Sequence, residues 1–400
     1  MGYSGSSGKE RFVSRRALVA LAVAMLFCTH AIARPQARAR ASTARALRSM
    51  ARVYMVMDRY ATAREYATQA VAAALRDSES EAMISRCMID LAWVDMQLGN
   101  FESAYTTGTK GLELQRQAYG HDHIYAAYTL RILSSISRER GDYRKARALL
   151  DESMHIMHLN AAGDNEIAPF LVDLAGILVA EGRYDEAEQV YDNVREKVLA
   201  VFGPSHLYTA MVFTQIAALH VRQGRVAEAE TLISMGYPIL QDAFGPNSYS
   251  LVDTWMVMAG ISERKGDLNR AENMKKRALA RVEEQFGSRH PHAARILGSL
   301  GEFYIDHGKY TEAAVVSPLA VERLKASLGE GHDVTAMAQN NLARLYLRQG
   351  RTLEASKLCS SAIVTLAQVF EPDHPSLVKV RQTLSSLLFA NAAERETNIN

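Results

Sequence analysis

Histidine is the side chain with the most chemical potential in this sequence of 400 residues. Five of its 12 histidines occupy the same place in a recurring loop: His123, His206, His290, His332 and His374. Zinc binds imidazole nitrogen at about 2 Å, whereas packed helices lie roughly 8 to 10 Å apart. Histidines of successive loops therefore cannot share one ion. His121, Asp122 and His123 could form part of a metal site, but a solvated or capping turn is the simpler interpretation, and we predict no metal.

The other reactive residue types lack the arrangements that catalysis needs. No G-x-x-x-x-G-K-[ST], H-E-x-x-H, G-x-S-x-G or C-x-x-C pattern occurs in the sequence, so the phosphate-loop, zinc-protease, serine-hydrolase and thiol-redox classes lose their minimal motifs. Cys87 and Cys359 lie in repeats about six apart, beyond the roughly 7 Å between Cα atoms that a disulfide spans. We therefore predict two buried free thiols, no catalytic residue and no cofactor.

A phrase with glycine first and alanine five residues later recurs along the chain. Its glycines follow one another at intervals of 41 or 42 residues: Gly99, Gly141, Gly182, Gly224, Gly266, Gly308 and Gly350. An eighth copy has Asp58 in place of glycine. Glycine tolerates the positive φ that ends a helix, and a small residue seven positions earlier lets two helices approach closely. The period predicts eight pairs of antiparallel helices.

A second phrase ends the second helix of several repeats. It reads Phe202-Gly203-Pro204 and Phe244-Gly245-Pro246, with histidine three residues after the glycine in most copies. The 42-residue spacing and the F-G-P-x-H-P linkers resemble the tetratricopeptide repeat, and within it the kinesin light chain subclass, over residues 44–377. The resemblance implies an all-α protein: a right-handed α-solenoid, or superhelix, of about eight helix-turn-helix repeats plus a C-terminal capping helix. It also implies a protein-binding surface, whereas motor function is not carried over.

The first residues have the order of an export signal. Basic residues precede an unbroken apolar run from Ala17 to Cys28, and the small residues Ala31 and Ala33 follow it. Such a run falls short of the roughly 20 residues that cross a bilayer, so we expect cleavage after Ala33 and export to the periplasm or the cell exterior. An uncleaved membrane anchor and an organelle transit peptide are the alternatives.

Charge is divided unevenly along the chain. The formal charge of the whole chain is +2, but residues 60–400 carry 35 basic and 42 acidic side chains, a net −7. An acidic body is unsuited to binding nucleic acid, because phosphate contacts need clustered lysine and arginine. We divide the chain into a signal peptide or membrane-targeting segment (1–33), a basic linker (34–43), the repeat array (44–377) and a capping helix with its tail (378–400).

In tetratricopeptide proteins the first helix of each repeat lines the concave face. Positions ten, six and three before the turn glycine project from one side of that helix. The partner-binding candidates among them are Arg131, Arg138, Val172, Val179, Val221, Met256, Glu263, Glu302, Asn340 and Arg344. We expect the apolar members to hold the apolar side of a partner segment, and Arg131, Arg138, Asn340 and Arg344 to anchor its polar ends.

The predicted function is a non-enzymatic scaffold that binds a segment of a partner protein in this groove. Two other interpretations stay open. The small residues of the middle row could merely let the superhelix wind tightly, without a ligand. Alternatively, the protein could be a regulatory or sensor subunit that its N-terminal segment tethers to a membrane while the repeats relay the state of a partner.

Overall fold

The structure is a computed structural model that describes residues 42–397. These described residues form 17 α-helices and one short 3-10 helix, with no β-strand. The α-helices are α1 (Thr43–Val56), α2 (Tyr60–Arg76), α3 (Glu81–Gln97), α4 (Phe101–Tyr119), α5 (Ile124–Glu139), α6 (Tyr143–Leu159), α7 (Asp164–Ala180), α8 (Tyr184–Phe202), α9 (Leu207–Gln223), α10 (Val226–Phe244), α11 (Val252–Arg264), α12 (Leu268–Phe286), α13 (Pro291–Asp306), α14 (Tyr310–Leu328), α15 (Asp333–Arg348), α16 (Thr352–Val369) and α17 (Pro375–Thr397).

Consecutive helices pack as antiparallel pairs, from α1 with α2 to α15 with α16, and α17 closes the array. The alanine five residues after each turn glycine is fully buried in every repeat: Ala63, Ala104, Ala146, Ala187, Ala229, Ala271, Ala313 and Ala355. The turn glycines have φ between 70° and 81°, and Asp58 takes their place at φ 57°. Gly301, at the small position before the turn, approaches Ser317 so closely that an added Cβ would lie 2.8 Å from its Oγ. The predicted solenoid of eight helix pairs and a cap is confirmed.

The loops between repeats, which we call linkers, begin with a glycine cap and end with a histidine cap. Gly203, for example, ends α8 with φ 77°, and His206 Nδ1 accepts the main-chain N–H of Tyr208 at 3.1 Å. All five recurring histidines cap the next helix in this way. The imidazole acceptor takes one of the N–H groups that the first turn of a helix leaves unpaired. The capping interpretation of the turn at His123 is therefore confirmed, and the other four linker histidines have the same role.

The C-terminal helix α17 seals the last repeat. Leu377, Val380 and Leu387 are at most 1% exposed and pack against α15 and α16. The helix begins at Pro375, three residues before the predicted boundary, because proline fits the first turn of a helix without losing a hydrogen bond. Solenoids need such a terminal helix, since an end repeat has no neighbour to cover its core side.

The array winds back onto itself. Three linker histidines donate Nε2–H to a main-chain oxygen 193 or 194 residues earlier: His290 to Gln97 at 3.0 Å, His332 to Glu139 at 3.1 Å and His374 to Ala180 at 3.1 Å. With a repeat of 42 residues, the superhelix completes one coil in four to five repeats. We call helices α1–α8 the first coil, helices α9–α17 the second coil, and this junction the coil contact.

Aromatic and charged side chains complete the coil contact. Tyr60 stacks on Phe286 and Tyr143 on Phe370, each with ring centroids 5.6 Å apart. The hydroxyl of Tyr143 donates to Asp333 Oδ2 at 2.9 Å across 190 residues of sequence. Linkers of the second coil thus lie on glycine turns of the first coil.

The predicted export signal and basic linker lie outside the described residues, except for the last two linker positions. Among the helices of residues 42–397, none is both long enough and apolar enough to cross a membrane.

Candidate partner-binding groove

The candidate residues lie on the first helices of six successive repeats. Helix α5 carries Arg131 and Arg138, α7 carries Val172 and Val179, α9 carries Val221, α11 carries Met256 and Glu263, α13 carries Glu302, and α15 carries Asn340 and Arg344. All of them except Asn340 are half-buried. The predicted positions therefore form one continuous surface that is neither core nor fully solvated, which we call the inner row.

The apolar part of the inner row lies at its centre. Val172, Val179, Val221 and Met256 pack against the largest core cluster, which includes Phe213. Each keeps part of its side chain outside the core. A ligand that covered these four side chains would remove apolar surface from water at roughly 25 cal/mol per Å². The centre of the row is therefore suited to an apolar side chain of a partner.

The arginine at the start of the inner row is held by its neighbour in the next repeat. Arg131 Nε donates to Asp173 Oδ2 at 2.6 Å, and its guanidinium lies 5.3 Å from the ring centroid of Phe170. Burial opposes the charge of Arg131, but the Asp173 carboxylate outweighs burial and raises the pKa of the arginine. Arg131 is a fixed cation with few remaining donors for a partner.

Arg138 belongs to a half-buried charge cluster that links the two coils. Its Nη2 lies 3.3 Å from Glu139 Oε1, and Arg295 of the second coil donates to the other oxygen of the same carboxylate. Burial would raise the pKa of Glu139, but the two arginines outweigh burial and lower that pKa to about 2. The Glu139 carboxylate is therefore ionised at neutral pH.

The remaining charged candidates also have partners within the chain. Glu263 Oε1 lies 3.2 Å from His307 Nε2, and its other oxygen lies 3.3 Å from Lys275 Nζ. Arg344 Nη2 donates to Asp306 Oδ1 at 2.5 Å. Glu302 accepts from Lys379 of the capping helix. Glu263–His307 and Arg344–Asp306 join adjacent repeats, Glu263–Lys275 lies within one repeat, and Glu302–Lys379 joins α13 to the capping helix, so a partner has to compete with these pairs or approach beside them.

Asn340 is fully buried, with Gln339 and Asn341 buried beside it. The Cys359 thiol donates weakly to Asn340 Oδ1 at 3.8 Å, while Asn340 Nδ2 lacks a hydrogen-bond partner within the described residues. The predicted anchoring role of Asn340 therefore does not fit this conformation, because no ligand on the surface can reach the amide. The buried free thiols at Cys87 and Cys359 are confirmed, and burial raises the pKa of each to about 11.

Two small residues of the middle row lie close to a side chain of the preceding repeat, the flexible Arg138 in one case and the stiff Val221 in the other. A Cβ on Gly176 would lie 2.8 Å from Arg138 Nη1, and a Cβ on Gly260 would lie 2.8 Å from Val221 Cγ1. In both places, the side chain three residues before the turn glycine of one repeat, Arg138 or Val221, packs over the small residue of the next repeat. Tight winding of the superhelix thus explains these two glycines without a ligand, as the alternative interpretation proposed.

The sequence motifs did not indicate the residues that join the coils. Tyr143 and Asp333, or Glu139 and Arg295, lie far apart in sequence and belong to no common motif. The recurring linker histidines were the one sequence signal for the coil contact. The main-chain oxygens that accept their Nε2–H groups are about 193 residues away and come close only because the superhelix winds. Within residues 42–397, no group of three or more His, Cys, Asp or Glu residues comes together as metal ligands.

An open cavity of about 760 Å³ lies at the coil contact. Arg64, Ser103, Arg140 and His332 are among its lining residues. Arg64 pairs with the fully buried Asp95 at 2.5 Å, and Arg140 pairs with Glu102 at 2.8 Å. Both cations are therefore neutralised, and the cavity offers no free charge to a ligand.

Comparison with known proteins agrees with the repeat architecture. Models of the tetratricopeptide repeat match residues 91–157, 166–242 and 335–376. No curated protein matches the sequence.

Solved structures resemble the fold at low sequence identity. A Rap protein complexed with Competence and Sporulation Factor is 12% identical, with a TM-score of 0.57 over 88% of this chain and 99% of that one. BtubC (BKLC) from P. vanneervenii is 20% identical, with a TM-score of 0.42 over 57% of this chain and 92% of that one. A tetratricopeptide repeat protein from Parabacteroides merdae is 13% identical, with a TM-score of 0.43 over 76% of this chain and 98% of that one. The described chain is an all-α solenoid that contains tetratricopeptide repeats.

Proposed function

We propose that this protein is a non-enzymatic scaffold that binds a segment of a partner protein along its inner row. The observation that carries the proposal is the half-buried apolar centre at Val172, Val179, Val221 and Met256, flanked on both sides by charged side chains. Grooves that bind peptides combine an apolar floor with a few polar groups that fix orientation. Among the described residues no competing catalytic constellation was found.

The charged borders of the row determine what kind of segment fits. Arg131 and Arg138 lie at one border, and Glu263 and Glu302 lie toward the other. All four are already paired, so they would add orientation more than affinity, as partly exposed ion pairs usually do. We therefore expect a mainly apolar segment whose acidic end points toward α5.

Fold similarity adds support of a general kind. The Rap protein that shares this fold is complexed with Competence and Sporulation Factor. We propose that the present chain likewise takes a protein or peptide partner and binds neither nucleic acid nor a cofactor. On its 42-residue spacing and its linkers, we assign the repeats to the kinesin light chain-like subclass.

The experiment is a peptide selection with the purified full chain against a randomised display library. Val221→Thr and Met256→Gln together keep side-chain size but add polar groups to the floor, and we expect the selected peptides to bind the double variant about tenfold or more weakly. Met235→Gln is the matched control, because Met235 is 45% exposed at the middle of α10, outside the inner row.

Each variant is first compared with the parent chain by circular dichroism and thermal unfolding, because Val221 and Met256 also contact the core. If the folded double variant binds the selected peptides as tightly as the Met235→Gln control does, the inner row is not the binding site. If the selection yields no peptide, the scaffold proposal itself is wrong.

We further propose that the chain is exported and loses its first 33 residues. The support is the sequence alone: basic residues, the apolar run from Ala17 to Cys28 and the small residues up to Ala33. N-terminal sequencing of the protein isolated from its native cells tests the proposal. A mature chain that begins at Arg34 is expected, and a chain that keeps residues 1–33 in the membrane fraction would contradict it.

A further inference from the structure

We propose that a second copy of this chain docks head to tail on the first and repeats the coil contact between molecules. The observation behind the proposal is that the coil contact joins two unlike surfaces. Every helix pair has its glycine turn at one end and its linker at the other, so each coil has a turn face and a linker face. Inside one chain, the linker face of the second coil covers the turn face of the first coil.

Each coil therefore keeps one face without a partner inside the chain. On the second coil, the turns at Gly224, Gly266, Gly308 and Gly350 are open, and a Cβ added to any of them would meet nothing within 4 Å. At the covered turns of the first coil, an added Cβ on Gly99 would lie 2.6 Å from Pro291, and one on Gly182 would lie 2.8 Å from Pro375. The open turns have the same backbone conformation as the covered ones.

The open linkers of the first coil retain the groups that bind turns elsewhere. His123 and His206 cap their helices through Nδ1, as His290 does, and stack on Tyr119 and Phe202. Within the described residues, neither of these two histidines has a hydrogen-bond partner at Nε2. His123 and His206 are two repeats apart, which is also the separation of Gly224 from Gly308 and of Gly266 from Gly350.

Aromatic side chains show the same division. Tyr60 and Tyr143, two residues after their turns, are 7% and 9% exposed because a phenylalanine of the other coil stacks on each. Tyr310 holds the equivalent position on the open turn face and is 39% exposed. A linker of a second copy, with its Phe202 or Tyr119, supplies the ring that Tyr310 lacks.

Charge favours the same pairing of faces. Beside the open glycines of the second coil, Arg222, Arg264 and Arg348 have no salt-bridge partner within the described residues, whereas Arg225, Lys265, Lys309 and Arg351 pair with glutamates of this chain. On the open linkers and the helix starts beside them, the first coil carries Glu79, Glu81 and Asp122 without a salt-bridge partner within the described residues, whereas Asp77 pairs with Arg76 and Asp164 with Lys197. A basic turn face and an acidic linker face attract each other between copies, whereas two like faces repel.

The two terminal helices also expose apolar side chains. Met50 and Val53 on α1 and Met57 just after it are 40%, 51% and 56% exposed, and Leu388 and Phe389 on α17 are 63% and 78% exposed. Stacking linker face on turn face brings the end of one superhelix next to the start of the other. The contact is heterologous, because it joins different faces, so it can extend to further copies rather than close as a symmetric dimer.

The test measures the mass of the full chain by light scattering and sedimentation over a range of concentrations. The parent chain is expected to grow in mass with concentration and to dissociate as salt is added, since added salt screens exposed charges. Two charge-reversed variants each block one face. Arg264→Glu with Arg348→Glu blocks the turn face, and Glu79→Lys with Asp122→Lys blocks the linker face.

Each blocked variant alone is expected to associate about tenfold or more weakly than the parent chain. An equimolar mixture is expected to recover association, because the intact linker face of one variant meets the intact turn face of the other and the two reversed faces are again opposite in charge. Lys110→Glu with Glu113→Lys is the matched control: both residues are exposed at the middle of α4, and the control is expected to associate like the parent chain.

Three outcomes would overturn the proposal. A parent chain that stays monomeric at every concentration shows that copies of this chain do not dock on these faces. A mixture of blocked variants that stays monomeric shows that the contact is not head to tail. Variants that associate as strongly as the control show that neither face takes part. None of these outcomes bears on peptide binding at the inner row, so the scaffold proposal is tested separately.

Discussion

His290 and His206 allow the free energy of the coil contact to be measured. Each caps the next helix through Nδ1 and stacks on the preceding phenylalanine, at 4.4 Å for His290 and 4.6 Å for His206. Only His290 also donates Nε2–H across the coils, to the oxygen of Gln97 at 3.0 Å. The two alanine variants therefore lose the same local interactions and differ in one long-range interaction.

The expected magnitudes follow from these contacts. Loss of the cap costs about 1 kcal/mol, and loss of the ring stack costs about 0.5–1.5 kcal/mol, so His206→Ala should lower the free energy of unfolding by roughly 2 kcal/mol. His290→Ala additionally removes a hydrogen bond worth about 1 kcal/mol and leaves a carbonyl at the coil contact unpaired. We expect it to be more destabilising than His206→Ala by about 1–2 kcal/mol.

The assay is equilibrium urea unfolding followed by circular dichroism, combined with amide hydrogen exchange. Exchange is needed because a solenoid can unfold in stages, so a single transition does not represent every repeat. In His290→Ala, the amide of Asn100, which bonds to Asp95 within the turn that His290 covers, should exchange faster than in His206→Ala. Equal destabilisation of the two variants, with equal exchange at Asn100, would refute the reasoning.

Three further predictions concern protons, packing and thiols. Burial lowers the pKa of His290 to about 4, below the value of about 6.5 for an unfolded chain. The unfolded state therefore binds more protons, so the free energy of unfolding should decrease as the pH is lowered from about 6.5 to 4. Urea titration at each pH measures this decrease, which should be less steep in His290→Asn. Gly298→Ala should stabilise the protein by about 0.5–1 kcal/mol in thermal unfolding, because an added Cβ meets only Leu324 at 3.7 Å. Gly260→Ala should destabilise it by about 1 kcal/mol, because the Cβ would lie 2.8 Å from the stiff side chain of Val221. If both substitutions stabilise the protein, the repeats move apart to accept the methyl group. Cys87 and Cys359, with pKa values of about 11, should react with a thiol reagent only as the chain unfolds, and rapid reaction of the folded protein would contradict their burial.

Local and nearest-neighbour features of this protein could be predicted from the sequence. The interval of 41 or 42 residues, the turn glycines and their buried alanines require only contacts within one helix pair. The histidine caps and Pro291 act within the first turn of a helix, so their role is local as well. The linker between α6 and α7 departs from the pattern, and there Ala161 with φ 50° takes the place of glycine.

The inner row was predicted only in part. Its positions follow from helical periodicity, and the half-burial of Val221 and Met256 agrees with them. The partners of its charged residues were not predictable, because Arg131 pairs with a residue 42 positions away in the next repeat. Asn340 was placed on the row by spacing, but its environment depends on helix α16, which buries it.

The sequence by itself determined a helical-repeat chain, the number of helix pairs and the caps of their helices. These features depend on spacings shorter than one repeat, for which backbone geometry and side-chain size suffice. The tertiary structure decided that His290, His332 and His374 meet turns about 193 residues earlier. That separation depends on small rotations between neighbouring repeats, which add up along the array, so it arises only from the packing of all the repeats together.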